Sequence, residues 1–174
     1  MLKKRIIISL SFLDGVLFRT KKFIPDYRYT KEFVNLWNID ELILIDLSKK
    51  KFNKNFLGLV EYYSNNCFVP ISVGGGINSL DCAKKYFSAG ADKIIVGYNG
   101  LIDKNLNKEI AKIYGNQSII QSIDFFKEEN NYNFYSKSGK EKINYKIDDL
   151  FKDNILDYIG EIFLNNIKND GGLL

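Results

Sequence analysis

Short apolar runs recur along the chain at Ile6 to Leu10, Leu42 to Ile45, Ile71 to Val73, Ile94 to Val96, Ile119 to Ile123 and Ile162 to Leu164. Turns and segments with helical spacing lie between them, the alternation expected of βα units that build a parallel sheet. The spacing predicts helices over Tyr29 to Trp37, Phe56 to Asn65, Ser79 to Phe87, Asn105 to Tyr114 and Ile147 to Tyr158. Ser79 stands as an N-cap, and Gly90 and Gly115 stand where helices end. The fifth unit breaks the rhythm: Phe125 to Lys142, with a turn at Ser138-Gly139-Lys140, predicts a hairpin inserted at the C-terminal end of a strand. A short repeat links Ile6-Ile7-Ile8-Ser9-Leu10-Ser11 with Ile119-Ile120-Gln121-Ser122-Ile123-Asp124, as duplicated barrel halves would give. One partial barrel domain over residues 1–174 is expected.

Charge placement adds a second pattern. Arg5, Glu41, Lys93 and Glu161 each stand immediately before an apolar run. If those runs are neighbouring parallel strands, the four charges meet in one ring of alternating sign at the N-terminal end of a barrel. At the opposite end, Asp14, Asp46, Asp124 and Asp170 follow or close strands, the face where barrel enzymes gather catalytic groups. Asp14 and Asp46 suit loop capping, and Asp124, which ends an apolar strand, suits general acid-base work. Gly74-Gly75-Gly76 follows a buried strand and precedes a helix. Such a turn either needs positive φ or leaves bare N–H groups to hold a phosphate.

Composition narrows the chemistry. The 174 residues are 45% hydrophobic, enough for one sizeable core, and 25 basic against 21 acidic residues give a net charge of +4 with no clustered block. Neither nucleic-acid binding nor membrane insertion is expected. There are no histidines, so Ser-His and Cys-His devices are excluded and no metal or cofactor is expected. Cys67 and Cys82 lack metal-site spacing and suggest reduced, buried thiols in a cytoplasmic protein. The basic, apolar start, Met1 to Leu13, is expected to be a core strand rather than a signal peptide.

Lys4-Arg5-Ile6-Ile7, Asp14-Gly15, Ile39-Asp40-Glu41-Leu42, Val73-Gly74-Gly75-Gly76-Ile77, Gly90-Ala91-Asp92-Lys93, Ser122-Ile123-Asp124 and Ser138-Gly139-Lys140 together resemble the cyclase subunit of imidazole glycerol phosphate synthase. The resemblance implies a (βα)8 TIM-type barrel that receives ammonia from a glutaminase subunit in a heterodimer. It further implies imidazole ring closure on a phosphorylated nucleotide-derived substrate in histidine biosynthesis, a lyase reaction. By the same resemblance Arg5, Glu41, Lys93 and Glu161 form the ammonia gate, Asp92 lies at the partner interface, and Gly75 and Gly76, with Gly74 and Gly97 beside them, bind phosphate. The catalytic pair falls on Asp124 and Ser11, a serine where the family has aspartate. Arg19 stands for a family lysine and Gly97-Tyr98 for an Asn-Thr pair. These departures resemble paralogues associated with surface glycans, which implies a second role: a non-catalytic relay of ammonia from a glutaminase for amidation of a glycan sugar.

A (βα)8 barrel typically takes about 250 residues. Six βα units are expected here and two are not, together with the phosphate site the resemblance places in them. A reading-frame slip at the codons of Gly171-Gly172 is one expected origin of the shorter chain.

Overall fold

The computed structural model describes residues 4–22, 24–29, 39–48, 53–128 and 131–172. Six strands run parallel: β1 (Ile7–Leu13), β4 (Glu41–Asp46), β5 (Ile71–Gly74), β6 (Lys93–Val96), β7 (Ile119–Glu128) and β10 (Glu161–Asn166). They pair in that order. Apolar residues fill both sides of the central strands, as a parallel sheet covered on both faces requires. One set, Leu42, Leu44, Ile71, Val73, Ile94, Val96 and Ile119, packs beneath helices α1 (Lys54–Asn66), α2 (Leu80–Ser88) and α4 (Leu106–Tyr114). The alternate set, Ile43, Ile95 and Ile120 with Ile45 and Phe163 beside them, is a separate small cluster on the concave side. That is the division between the wall and the interior of a barrel.

Local signals explain the helix ends. Ser79 accepts from the Cys82 N–H and caps α2, and Asn53 accepts from the Asn55 N–H at the start of α1. Gly90 and Gly115 close their helices at φ 101° and 85°. A five-residue helix, α3 (Tyr98–Ile102), opens directly after β6.

Two expectations are corrected. The segment after β1 is a β-meander: β2 (Val16–Lys21) folds back on β1 and β3 (Ile24–Tyr29) on β2. Asp14 (φ 49°) and Gly15 (φ 84°) form its two-residue turn, the left-handed pair that a type I′ hairpin demands. Tyr29 therefore ends a strand, and the rest of the helix expected over Tyr29 to Trp37 lies outside the described residues. The helix expected over Ile147 to Tyr158 is instead α5 (Ile147–Lys152) followed by a 3₁₀ turn at Ile155–Tyr158, because Asn154 takes a left-handed φ of 52° and breaks the ladder. The hairpin of the fifth unit forms as expected from β7, β8 (Asn131–Ser136) and β9 (Glu141–Lys142).

Between β1 and β10 no strand is present among the described residues, so the sheet is open there. The ends nevertheless touch across the opening. The Lys22 N–H donates to the Asp170 carbonyl (3.2 Å), Thr20 Oγ1 donates to the Asp170 carboxylate (3.1 Å), and the Arg19 guanidinium donates to the Gly171 carbonyl (2.7 Å). No described helix is long and apolar enough to cross a membrane.

Candidate functional site

The N-terminal end of the barrel holds the charged ring. Parallel register sets Glu41, Lys93 and Glu161 at the first positions of β4, β6 and β10, and Arg5 lies just ahead of β1. Arg5 spans both carboxylates, reaching Glu41 at 3.0 Å and Glu161 at 2.8 Å. Lys93 does the same from the other side, at 3.2 Å from Glu41 and 2.6 Å from Glu161. The four side chains thus close on one another in alternating order. Glu41 is only 1% exposed, and a carboxylate that deep costs several kcal/mol unless it is fully partnered. Ser72 on β5 supplies the remaining partner, its hydroxyl donating to Glu41 Oε1 at 2.5 Å. Burial pushes Glu161 up, but hydrogen bonds from Arg5 and Lys93 overcome it and hold the group below its ordinary value. Behind the ring lies the apolar interior of Ile43, Ile95 and Ile120.

Asp92 sits beside the ring at the surface. One carboxylate oxygen accepts from the Ile71 N–H (2.8 Å), which ties the start of β5 to that of β6.

The C-terminal end carries the other candidates. Asp124 is not the last residue of its strand, since β7 runs on to Glu128 into the hairpin. Burial raises Asp124 to about 6, the Asn165 amide donating to it at 3.3 Å moderates this, and the nearby Asp170 charge adds to it. A carboxyl group poised near 6 can both give and take a proton near neutrality. Ser11 pairs with Ile45 and Phe18 and lines an open cavity of about 470 Å³ with Ser9, Arg19, Thr20 and Asp170. No hydrogen bond joins Ser11 to Asp124 among the described residues; Asp170 is the group near both. Asp46 behaves as a capping residue, accepting from the Ser48 N–H (2.9 Å) and hydroxyl (2.8 Å), while burial raises it. Asp14 occupies the β1–β2 turn.

The glycines divide by role. A Cβ on Gly74 would lie 2.8 Å from the flexible end of Ile45 and 3.0 Å from Ile95 Cβ, whereas on Gly75 (φ +111°) it would lie 2.3 Å from the Asp46 carbonyl oxygen, so packing alone demands glycine at Gly75. Helix α2 does not follow directly: Ile77, buried at 2%, intervenes with Asn78 and the cap Ser79. Gly97 caps α3 with open space around its Cα, and its carbonyl accepts from Gln121 Nε2 at 3.0 Å. Of the thiols, Cys82 is buried as expected but Cys67 is only partly buried; both are free.

Pattern reasoning missed Ser72, Asn165 and the Gln121–Asn107 pair (3.1 Å), all polar residues inside strands or beneath helices. Alternation could have found Ser72, which interrupts Ile71 and Val73 on the concave side, next to Glu41.

A parallel α/β sheet curved around an apolar interior, with a charged ring at its N-terminal end and carboxylates at the other, defines the TIM-barrel class of protein. A family model described as histidine biosynthesis protein matches residues 10–174, and this chain belongs to that family. It is 35% identical to a protein of Parasynechococcus marenigrum provisionally assigned as the imidazole glycerol phosphate synthase subunit hisF2, a match over 98% of this chain and 67% of that protein. A Vibrio vulnificus protein of the same provisional assignment is 31% identical over 88% of this chain and 58% of its own length. The Bacillus subtilis imidazole glycerol phosphate synthase subunit HisF is 30% identical over 98% of this chain and 71% of its own. The chain thus spans between 58% and 71% of the length of these relatives.

Proposed function

We propose that this chain is a cyclase-type subunit of imidazole glycerol phosphate synthase that takes ammonia from a glutaminase partner through the ring of Arg5, Glu41, Lys93 and Glu161. The closed geometry of that ring carries the reading. Four charges paired in alternation over an apolar interior form a stopper rather than a core, because the same space could be filled with aliphatic side chains at no electrostatic cost. Withdrawing the Lys93 ammonium would open the centre. The isoleucine-lined space behind it favours neutral ammonia, since an ammonium ion would lose its hydration there. At the far end Asp124 is the acid-base group, and Gly75, Gly76 and Gly97 stand at the turns where a phosphorylated substrate is held.

One observation favours a second reading. Ser11 stands where an aspartate would complete the acid-base pair, and a hydroxyl is no base near neutral pH without help. On that reading the chain relays ammonia to a separate amidation reaction on a surface-glycan sugar and closes no imidazole ring. Purified protein supplied with ammonium salts and the ribotide substrate decides between them. No imidazole product, together with stimulation of a glutaminase that Lys93→Glu abolishes, supports the relay. Product formation that Asp124→Asn removes supports the cyclase, and if neither outcome is seen the ring does not have the assigned role.

A further inference from the structure

Three departures from ordinary packing meet beneath helix α3. Gln121 on β7 is 0% exposed and Asn107 on α4 is 2% exposed, two amides in the wall layer that Ile94, Val96 and Ile119 otherwise fill. Asn107 Nδ2 donates to Gln121 Oε1 (3.1 Å), but Asn107 Oδ1 accepts from no donor among the described residues. Gly100 stands inside α3 with no left-handed φ to call for a glycine. A Cβ there would lie 2.5 Å from Gln121 Oε1 and 3.0 Å from Asn107 Nδ2, so this glycine makes room for the amide pair. A helical glycine and an unpaired buried acceptor both cost stability, and apolar side chains of the same volume would avoid the cost. Stability therefore does not explain the arrangement.

What the pair does is hold a backbone. Gln121 lies opposite Val96, the last residues of β7 and β6 in register. Its Nε2 donates to the Gly97 carbonyl (3.0 Å) and the Ser122 carbonyl (2.9 Å), which joins the two strand ends one residue beyond the ladder. The Gly97 carbonyl also accepts from the Gly100 N–H (3.0 Å), so the peptide between Gly97 and Tyr98 is fixed from two sides. Across a trans peptide the N–H points opposite to the carbonyl, so the Tyr98 N–H is aimed away from Gln121, and Gly97 beside it borders open space. From the same helix Asn99 Nδ2 donates to the Ile77 carbonyl (3.0 Å), in the turn that follows Gly75 and Gly76. Two glycine turns on the neighbouring strands β5 and β6 are thereby held as one piece.

We propose that Gln121, Asn107 and Asn99 are positioning residues that align the turns at residues 75–77 and 97–98 as one rigid seat for a phosphate group. This rests on the reading above that a phosphorylated substrate is held at those turns. Gln121 and Asn107 lie inside the wall and act through the Gly97 carbonyl, and Asn99 acts through the Ile77 carbonyl. Backbone N–H groups hold an anion best when their directions are set before it arrives, since ordering them on binding subtracts from affinity. The wall gives up stability, and the turns gain fixed directions.

The test is an amide NMR titration of the full chain with ribose 5-phosphate, with ribose as the arm that lacks the phosphate. The parent is expected to bind the first and not the second, with a shift of the Tyr98 amide signal. Gln121→Leu combined with Asn107→Ala keeps the summed volume and leaves no buried amide unpaired. This double variant is expected to unfold in urea no earlier than the parent. It should nevertheless bind ribose 5-phosphate about tenfold more weakly, the factor of one hydrogen bond to a charged group, with the Tyr98 amide broadened. Asn99→Ala leaves the wall untouched and is expected to weaken binding about threefold. If the parent binds and both variants bind within about twofold of it, the positioning role is wrong and the phosphate reading stands. A double variant that unfolds earlier than the parent marks the pair as part of the core and also overturns the proposal. A parent that binds ribose 5-phosphate no better than ribose brings down the phosphate reading itself.

Discussion

Glu41 shows how much one buried charge commits its surroundings. Arg5, Lys93 and Ser72 all point at it, and its position was legible in the chain because a charge directly ahead of an apolar run has nowhere to lie but the strand's mouth. Lys93→Met leaves the half-exposed Arg5 as the cation shared by Glu41 and Glu161, with Ser72 still donating to Glu41. It should destabilise the fold by about 2 kcal/mol, below the ~3–5 kcal/mol of breaking a fully buried pair, because Arg5 remains. Urea unfolding at pH 7 measures this, and adding Glu41→Met should recover most of the loss. Asp124 gives a prediction of opposite character. Its native value of about 6 lies above the ordinary 3.8, so the folded state keeps a proton that the unfolded chain has released, and stability falls as pH climbs between those values. Asp124→Asn should melt higher than the parent at pH 7, and the gap should close by about pH 4. Asp46, also raised by burial, contributes a slope of the same sign that remains in the variant. The raised value was not legible in the sequence, because it comes first from burial among packed elements, with Asp170 adding to it and Asn165 moderating it, and those two belong to another strand and its following turn. The internal repeat does align Ser11 with Asp124, so the chain alone sets a hydroxyl in the first strand against the carboxylate of the fifth.

Elements were legible where period and punctuation agreed. Helices α1, α2 and α4 and all six parallel strands lie where the apolar spacing put them. The β2–β3 meander was missed although Asp14-Gly15, a hairpin dipeptide between Leu13 and Val16, announces it. A six-residue strand with alternating exposure resembles a loop when its partner is unknown. The two meanders, β1–β2–β3 and β7–β8–β9, extend the first and fifth parallel strands in the same way, and this supports the duplicated-half pattern more strongly than six matching letters do. Glycine substitutions test which turns are structural. Gly75→Ala combines a φ of +111° with a contact of 2.3 Å to the Asp46 carbonyl, and should cost at least about 2 kcal/mol in chemical denaturation. Gly58→Ala, in the exposed middle of α1 with no atom within 4 Å of the added methyl, should stabilise by up to about 1 kcal/mol. Equal effects at the two sites would show that β5 does not pack against β4 in this register.

At the scale of the molecule, the opening between β1 and β10 sets how these 174 residues behave when prepared by themselves. Among the described residues strand β10 pairs along one edge, with β7, and its outward side chains Ile162 and Leu164 are 44% and 62% exposed, whereas the equivalent faces of β4 to β7 lie under helices. The contacts across the opening are polar: Arg5 with Glu161 at one end, Arg19, Thr20 and Lys22 with residues 170 and 171 at the other. Solvated bonds of this kind contribute little and leave a row of backbone donors and acceptors ready for another strand. The chain should therefore self-associate through β10 at tens of micromolar, seen as a mass that rises with concentration in light scattering. Ile162→Lys with Leu164→Lys should return it to a monomer without changing the far-UV spectrum, since both side chains point away from the interior. A parent that stays monomeric across that range would mean that the strap of β2 against the turn after β10 protects the edge. In that case cutting the strap with Arg19→Ala and Thr20→Ala should restore association.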